Sequence, residues 1–490
     1  MRTLCKTFSA ALCVVALGVP AARAQQQPAP DQQQPPDQQQ QSPNQGATPI
    51  PAYRSPFASA AGNDDSDSQN STPDNRSLSG AQDLSPVLMP TRSYWQPQLN
   101  AYGVVESNPG ENPGNTAWSG GGALSGHVDL YRISGNSNLN VSYTGGATFS
   151  GSSSVGNGIV QDLSFGDKIT FRRSRFSIFD TLDYTPGSSF GFGGLGGLAG
   201  SGSSGVGSVF GPDQTILTGE GQELLNSFVA ELDTDLTPRT SITFVGGDYL
   251  VHNFTSNLLN STDPNVRAGY NYRLTRKDTV ALIYTFSGFR YSNSDQSFDT
   301  HTAQVSYGRL VTGRIAFQIA AGPQIVVSRI PLTVSGGTGP VTTNTTTTLN
   351  WSLNTSLTLT GRRNNFGVTY YHGANNGSGV LAGAISDTVS ASLQRAASRT
   401  FTSGVAGGYS RSEGALVGTT LVSNQTYDYW YGSASLSHPV GRTMGLTLSY
   451  TVQYQVPHSA ACVSGAACAT STLTNLIAFG VGWHQRPLVF

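Results

Sequence analysis

Along Thr348–Gly361, TLNWSLNTSLTLTG, apolar side chains fall on alternate positions: Leu349, Trp351, Leu353, Leu357 and Leu359, with Thr355 the one gap. Small uncharged polar residues, from Asn350 to Thr360, fill the other positions. A period of two sends the two sets to opposite faces of a β-strand. TMGLTLSYTVQYQV repeats the pattern from Met444 to Val456, and LIAFGVGWH repeats it through Ile477, Phe479, Val481 and Trp483. GRIAFQIAAGPQIVV carries it at Ile315, Phe317, Ile319 and Ala321, and RTFTSGVAGGYS at Phe401, Val405 and Tyr409. About eighteen such segments fit between Tyr94 and Phe490, and no convincing amphipathic helix follows the first 25 residues.

The connections between these segments alternate in length. SGNSN (134–138), RRSR (172–175), TPRT (237–240), TRKD (275–278), TGR (312–314), GRRNN (361–365), RAASR (395–399) and VGR (440–442) are tight. Between them lie longer stretches, among them 108–115, 186–222, 253–263, 330–344, 413–424 and 457–471. Strands joined in turn by short and long links predict an antiparallel up-and-down meander with two unlike ends. A soluble sandwich also alternates, so the composition has to decide. Charged residues make up only 11% of the chain, against roughly 25% in soluble domains. The apolar rows are almost free of charge. Phe176, Phe317, Phe366 and Phe401 each lie within three residues of a short turn, where an aromatic girdle meets lipid headgroups. A membrane-spanning β-sheet has to close on itself, because hydrocarbon offers no partner to an open edge. The fold class expected is therefore all-β, a transmembrane antiparallel barrel of about eighteen strands, with sixteen as the alternative.

The N-terminus fits export. MRTLCKTFSAALCVVALGVPAARA begins with Arg2 and Lys6, continues with an apolar run, and ends at Ala22-Arg23-Ala24. Residues 1–24 thus read as a secretory signal peptide. Residues 25–92 are Gln/Pro-rich, then Asp/Ser/Asn-rich, and are expected to be a disordered periplasmic leader. Such a leader is either a tether reaching cell-wall material or a plain solvated tail. It holds three arginines and seven aspartates, while 93–490, the barrel, balances at 21 basic against 21 acidic residues. Neither part has the basic excess of a nucleic-acid binder. Cys5 and Cys13 leave with the signal. Cys462 and Cys468 are spaced for a local disulfide in an oxidising compartment, with a pair of free thiols as the other reading.

With its export signal, its meander with unequal ends and its terminal Phe490, the stretch 94–490 resembles bacterial outer-membrane β-barrels, in particular uncharacterised porin-like families. The resemblance implies the outer membrane as location, outer-membrane lipid as surroundings, and Phe490 as the signal shown to the barrel-assembly machinery. In this chain the last apolar row is odd-numbered while Phe490 is even, and Pro487 intervenes. Either a bulge near Gln485–Pro487 resets the phase, or the strand ends near His484 and Leu488-Val489-Phe490 is a short tail.

Candidate chemistry is electrostatic. Arg172, Arg173, Arg175, Arg239, Arg276, Arg314, Arg362, Arg363, Arg399 and Arg442 lie in or beside short turns. They form either a periplasmic-rim ring for lipid phosphates or merely solvated turn residues. In SFVAELDTDLT the row Phe228, Ala230, Leu232 faces outward, and Glu231, Asp233 and Asp235 face the pore. An acid column of this kind favours cations, unless the acids pair with lumen or rim arginines. Asp129, Asp162, Asp180, Asp183 and Asp387 are further lumen candidates. The long segment 187–222 either folds inward and narrows the lumen or stays outside, and its Phe190, Phe192, Leu195, Leu198 and Phe210 favour the inward course. The seven histidines show no metal spacing, and His252 near Ser256 is the one pair resembling a base and nucleophile. No enzyme, metal or cofactor is expected. Barrels of 16–18 strands leave an aqueous bore. The expected function is passive diffusion of small hydrophilic solutes with a mild cation bias. The alternative is a surface-interaction or secretion barrel acting through its long loops.

Overall fold

The computed structural model describes residues 78–79, 92–107, 117–151, 157–185, 215–216, 222–254, 258–292, 296–332, 342–361, 363–398, 400–415, 426–458 and 471–490. The strands are β1 (Tyr94–Ser107), β2 (Trp118–Ser134), β3 (Ser137–Ser150), β4 (Gly158–Thr170), β5 (Ser174–Thr185), β6 (Glu223–Thr237), β7 (Thr240–Asn253), β8 (Ser261–Arg273) and β9 (Asp278–Tyr291). The second half continues with β10 (Ser297–Thr312), β11 (Ile315–Leu332), β12 (Thr342–Thr360), β13 (Asn364–Asn375), β14 (Ala384–Ala396), β15 (Thr402–Gly414), β16 (Thr426–Val440), β17 (Met444–Pro457), β18 (Thr472–His484) and the two-residue β19 (Leu488–Val489). Each of the first seventeen pairs antiparallel with its successor, and β18 pairs with β1 from Gln98↔His484 to Ser107↔Asn475. The sheet is a closed eighteen-strand barrel. Among the described residues the only helical piece is a 3-10 turn, Gly377–Gly379.

Side-chain exposure inverts the rule for soluble proteins. On β12, Leu349 is 77% and Trp351 50% exposed, while Ser352 between β11 and β13 is 4% exposed. On β17, Met444, Leu448, Tyr450 and Tyr454 are exposed, and the intervening Thr447, Ser449, Thr451, Gln453 and Gln455 are buried. Large apolar residues thus cover the outside, and the inside is Ser, Thr, Asn and Gln. Leaving each such side chain in water forfeits about 1.5–3 kcal/mol, so the outer surface calls for an apolar solvent. Strands of 12 to 19 residues exceed the roughly 9–11 that a tilted strand needs to span a bilayer.

The short turns share a local chemistry. Thr237 Oγ1 accepts from the N–H groups of Arg239 and Thr240, and Thr275 Oγ1 does so from Lys277 and Asp278. Thr312 Oγ1 accepts from Arg314 and Ile315, and Ser398 Oγ from Thr400 and Phe401. A hydroxyl capping the backbone two and three residues ahead fixes the reversal without a residue at positive φ. In the β2–β3 turn Gly135 does it instead, at φ +56°.

Aromatic rings mark the short-turn edge of the outer surface. Phe176 shares a rung with Leu232, and Phe366 and Phe401 are exposed beside their short turns. Farther up the wall, tyrosine hydroxyls repeat one diagonal contact. Tyr370 lies opposite Val389 and donates to Asp387 two residues beyond, at 2.7 Å. Tyr409, opposite Trp430, donates to Asp428 at 2.7 Å, and Tyr450, opposite Ile477, to Asn475 at 2.8 Å. Tyr307, opposite Val280, reaches Asp278 at 2.8 Å, and Tyr284 Oη lies 2.8 Å from His301 Nδ1 in the same way. Each of these five hydroxyls is thereby paired with the adjoining strand.

The last strand changes phase. Where β18 runs with β1, Gln98 faces His484; beyond Gln485–Pro487, Trp95 faces Leu488 and Tyr94 faces Val489. One extra residue is accommodated on the β18 side, as in a bulge. Leu488 comes opposite the outward Trp95. Phe490 follows on the same side, exposed, and its N–H donates to Ser93 O at 3.2 Å.

One wall position is exceptionally tight. The β10–β11 ladder lapses at Ala303–Gln304, where Pro323 supplies no N–H, and a Cβ on Gly322 would overlap the Ala303 carbonyl. Gly322→Val is expected to destabilise the barrel by roughly 1–3 kcal/mol. Semi-native electrophoresis should show the variant losing its compact band at a lower temperature than the parent.

Candidate functional site: the barrel lumen

The inward faces of β5–β8 carry the acids expected to line the pore. Glu231, Asp233 and Asp235 alternate with the outward Phe228, Leu232 and Leu236. Cations stand beside them. Arg175 Nη2 donates to Asp233 Oδ2 at 2.8 Å, and Thr243 Oγ1 donates to Asp233 Oδ1 at 2.6 Å. Arg175, Asp233 and Thr243 are direct rung partners on β5, β6 and β7. The next rung reads Lys168, Ser177, Glu231, Val245, Arg267, Thr285 across β4 to β9. Glu231 is thus flanked on its own level by Lys168 and Arg267. The acid column belongs to a patch with three cations, and Arg175 turns into the lumen rather than to the rim. Applying to Lys168, Arg175 and Arg267 the alternation used for the acids finds them in the sequence.

The other basic turn residues keep their place at the short-turn end. Arg172 and Arg173 lie in the β4–β5 link, Arg239 between β6 and β7, Arg276 between β8 and β9, Arg314 between β10 and β11, Arg363 just before β13, and Arg442 between β16 and β17. Arg362 and Arg399 lie outside the described residues, as do Cys462, Cys468 and Ser256. At the long-loop end arginines are tied to acids: Arg290 and Arg329 both donate to Asp299 at 2.5 Å, and Arg411 to Glu413 at 3.0 Å.

Two of the further lumen candidates face the other way. Asp180 shares a rung with Phe165 and Phe228 and so stands on the apolar surface, where Asn226 Nδ2 donates to it at 2.7 Å. Asp387 shares a rung with His372 and Arg411 on the outward side and accepts from Tyr370 Oη. The strand period assigns both, and identity as an acid does not override it. Asp129 does face inward, 2.8 Å from His127 Nε2, and Asp162 and Asp183, direct partners on β4 and β5, do so as well. His252 packs edge-on against Phe254, centroids 4.7 Å apart. Among the described residues no three metal-ligating side chains converge.

The β13–β14 connection narrows the outer end. Residues 375–379 are buried, with Gly377 at φ +76°, Gly379 at +75° and Gly383 at +91°. Asn375 Oδ1 and Asn376 Oδ1 accept from the N–H groups of Gly377 and Ser378, both at 3.0 Å. The strap then reaches toward β7–β10. Leu259 N donates to Gly379 O at 2.8 Å, Tyr291 Oη to Asn376 O at 2.9 Å, and the Phe298 ring lies against Gly383, where a Cβ has no room. Thr215 and Ile216, which with Gln222 make up the described part of 187–222, are buried on this strap. Ser378 Oγ accepts from both of their N–H groups, and Ile216 packs with Leu381, Ala384 and Tyr427. This part of the long segment takes the inward course.

Beneath the strap lies a polar chamber. Its walls include Asp263, Asn265, Arg267, Thr285, Ser287, Thr300, Thr302, Gln304, Gln324, Ser352, Asn354 and Tyr371, and Asn375 and Asn376 close it from above. It is open to the rest of the bore. Gln324 is held by Thr302, which accepts from Nε2, and by the Ala374 N–H, which donates to Oε1. Hydroxyls, amides, one carboxylate and one guanidinium can replace a small solute's hydration shell as it passes.

No protein-family model matches the chain, and no curated relative matches its sequence. Among solved structures, OccK2 (OpdF) of Pseudomonas aeruginosa is similar over 81% of this chain and 98% of its own, at 9% identity and a TM-score of 0.40. A BenF-like porin of Pseudomonas fluorescens Pf-5 covers 81% and 99%, at 10% identity and a TM-score of 0.39. OccAB3 of Acinetobacter baumannii covers 80% and 99%, at 11% identity and 0.38. The closed ring of the present chain rests on its own strand pairing.

Proposed function

We propose that this protein is an outer-membrane channel through which small hydrophilic solutes diffuse. The observation that carries the reading is the inverted barrel: a ring of exposed Leu, Phe, Trp and Tyr around a bore lined by buried Ser, Thr, Asn and Gln. An apolar belt needs hydrocarbon on its outer side, and a polar inner wall needs water or a polar solute. Closure leaves no unpaired strand edge in the lipid. The strap and Thr215–Ile216 narrow the outer end of that passage. Reconstituted in a planar bilayer, the mature chain is expected to produce discrete open steps. Protein that keeps its compact band on semi-native gels yet stays silent at every voltage overturns the channel.

Charge selectivity follows from the balanced patch at the inner half of the lumen. With Glu231, Asp233 and Asp235 beside Lys168, Arg175 and Arg267, the strong bias that an acid column gives alone is offset. Any residual cation preference is mild. Glu231→Gln with Asp233→Asn should move the reversal potential in a KCl gradient toward chloride, and Arg267→Gln should move it toward potassium. Each charge removed is expected to alter the permeability ratio by about fivefold at most, since a unit charge at ~4 Å in bulk water is worth about 1 kcal/mol. Opposite signs for the two variants test the assignment; equal signs or no shift overturn it.

A further inference from the structure

The inner half of the lumen has an apolar notch in its polar wall. Ala281 and Ile283 point inward from β9 and are both buried. Beside them the wall is stripped of side chains. Gly269 on β8 shares a rung with Ile283, and Gly308 on β10 lies opposite Thr279 and Gln318. A water-filled bore gives no reason for this combination. Its occupant is Leu78–Ser79 of the leader. Leu78 packs with Ala281 and Ile283, and its carbonyl accepts from Gln318 Nε2 at 3.5 Å. Ser79 is fully buried. Its N–H donates to Asn271 Oδ1 at 3.2 Å, and its hydroxyl accepts from Asn271 Nδ2 at 2.7 Å. Asn271 is itself set by Ser241 and Thr243 on β7, at 3.3 and 3.2 Å.

The fit is reciprocal. A Cβ on Gly269 would meet only Ser79 among its three nearest atoms, and one on Gly308 only Leu78. In the sequence, Leu78 is the sole bulky apolar residue between Phe57 and Leu84. The one bulky apolar residue in this polar stretch of the leader meets an apolar notch in the wall. The notch lies within a few residues of the short turns. It is centred on β9 and β10, across the ring from β1, where the barrel begins at Tyr94.

We propose that the leader is an internal ligand of the barrel, anchored by Leu78–Ser79 in the notch on β8–β11, and that this anchor obstructs the inner half of the bore. The proposal rests on the channel reading for its conductance arm only. Hydrogen exchange reads the docking by itself. In the full mature chain, the peptide containing Ser79 should exchange at least about tenfold more slowly than the same peptide in Leu78→Ser, because burying a leucine favours docking by a factor of that order or more. Gly308→Val, which fills the notch from the wall side, should speed exchange likewise while the compact band on semi-native gels stays intact. Both variants should also show a larger open-step conductance than the parent. Exchange at Ser79 that is as fast in the parent as in the variants overturns the docking. Slow exchange with equal conductance in all three proteins overturns the obstruction. Silence from all three rejects the channel and leaves the exchange result to decide the docking.

Discussion

A peptide group facing hydrocarbon has no water to turn to, and this one constraint organises the barrel. Every N–H and C=O in the membrane-facing wall needs a partner within the sheet, each unmet group costing several kcal/mol. Eighteen strands can meet that demand only if the first and last pair, as β1 and β18 do over ten residue pairs. The constraint extends to side chains. Tyr370, Tyr409 and Tyr450 keep their rings on the apolar surface because each hydroxyl finds an acceptor one strand over. Asp180, on the same surface, is accompanied by the Asn226 amide.

Much of this was legible in the sequence, since a period of two is a strong signal and the chain keeps it for long stretches. The row in TMGLTLSYTVQYQV and the row in SFVAELDTDLT both have the facing that alternation assigns. The alternating short and long links anticipated the antiparallel ring of eighteen. Asp180 and Asp387 face outward, against the expectation for an acid, because register fixes the face regardless of chemistry. Lys168, Arg175 and Arg267 take inward positions by the same parity as the acids, and for Arg175 the neighbouring turn hides that facing.

Other features leave no local trace. The strap at 376–383 is set by three glycines at positive φ and by contacts from strands far away in the chain. The link NNGSGVLAG reads simply as a loop. The notch for Leu78 is equally hidden: Gly269, Gly308, Ala281 and Asn271 come from three strands and acquire meaning only once the sheet is assembled. The one-residue slip before Leu488 was foreseeable, because the odd row of β18 and an even-numbered Phe490 cannot share a face without it.

The seam between β1 and β18 also sets an order of events. Gln98 and His484 are separated by almost the whole barrel sequence, and bringing such distant residues together carries the largest loop entropy in the molecule. Neighbouring strands, joined by Thr- or Ser-capped turns, can zip as hairpins at far lower entropic cost. Nascent chain therefore accumulates as a growing curved ribbon with two raw edges, and only the final stretch can join them. Until that moment the ribbon is at its most vulnerable to wrong neighbours. A catalyst that holds the two edges apart from other chains would act on the seam above all.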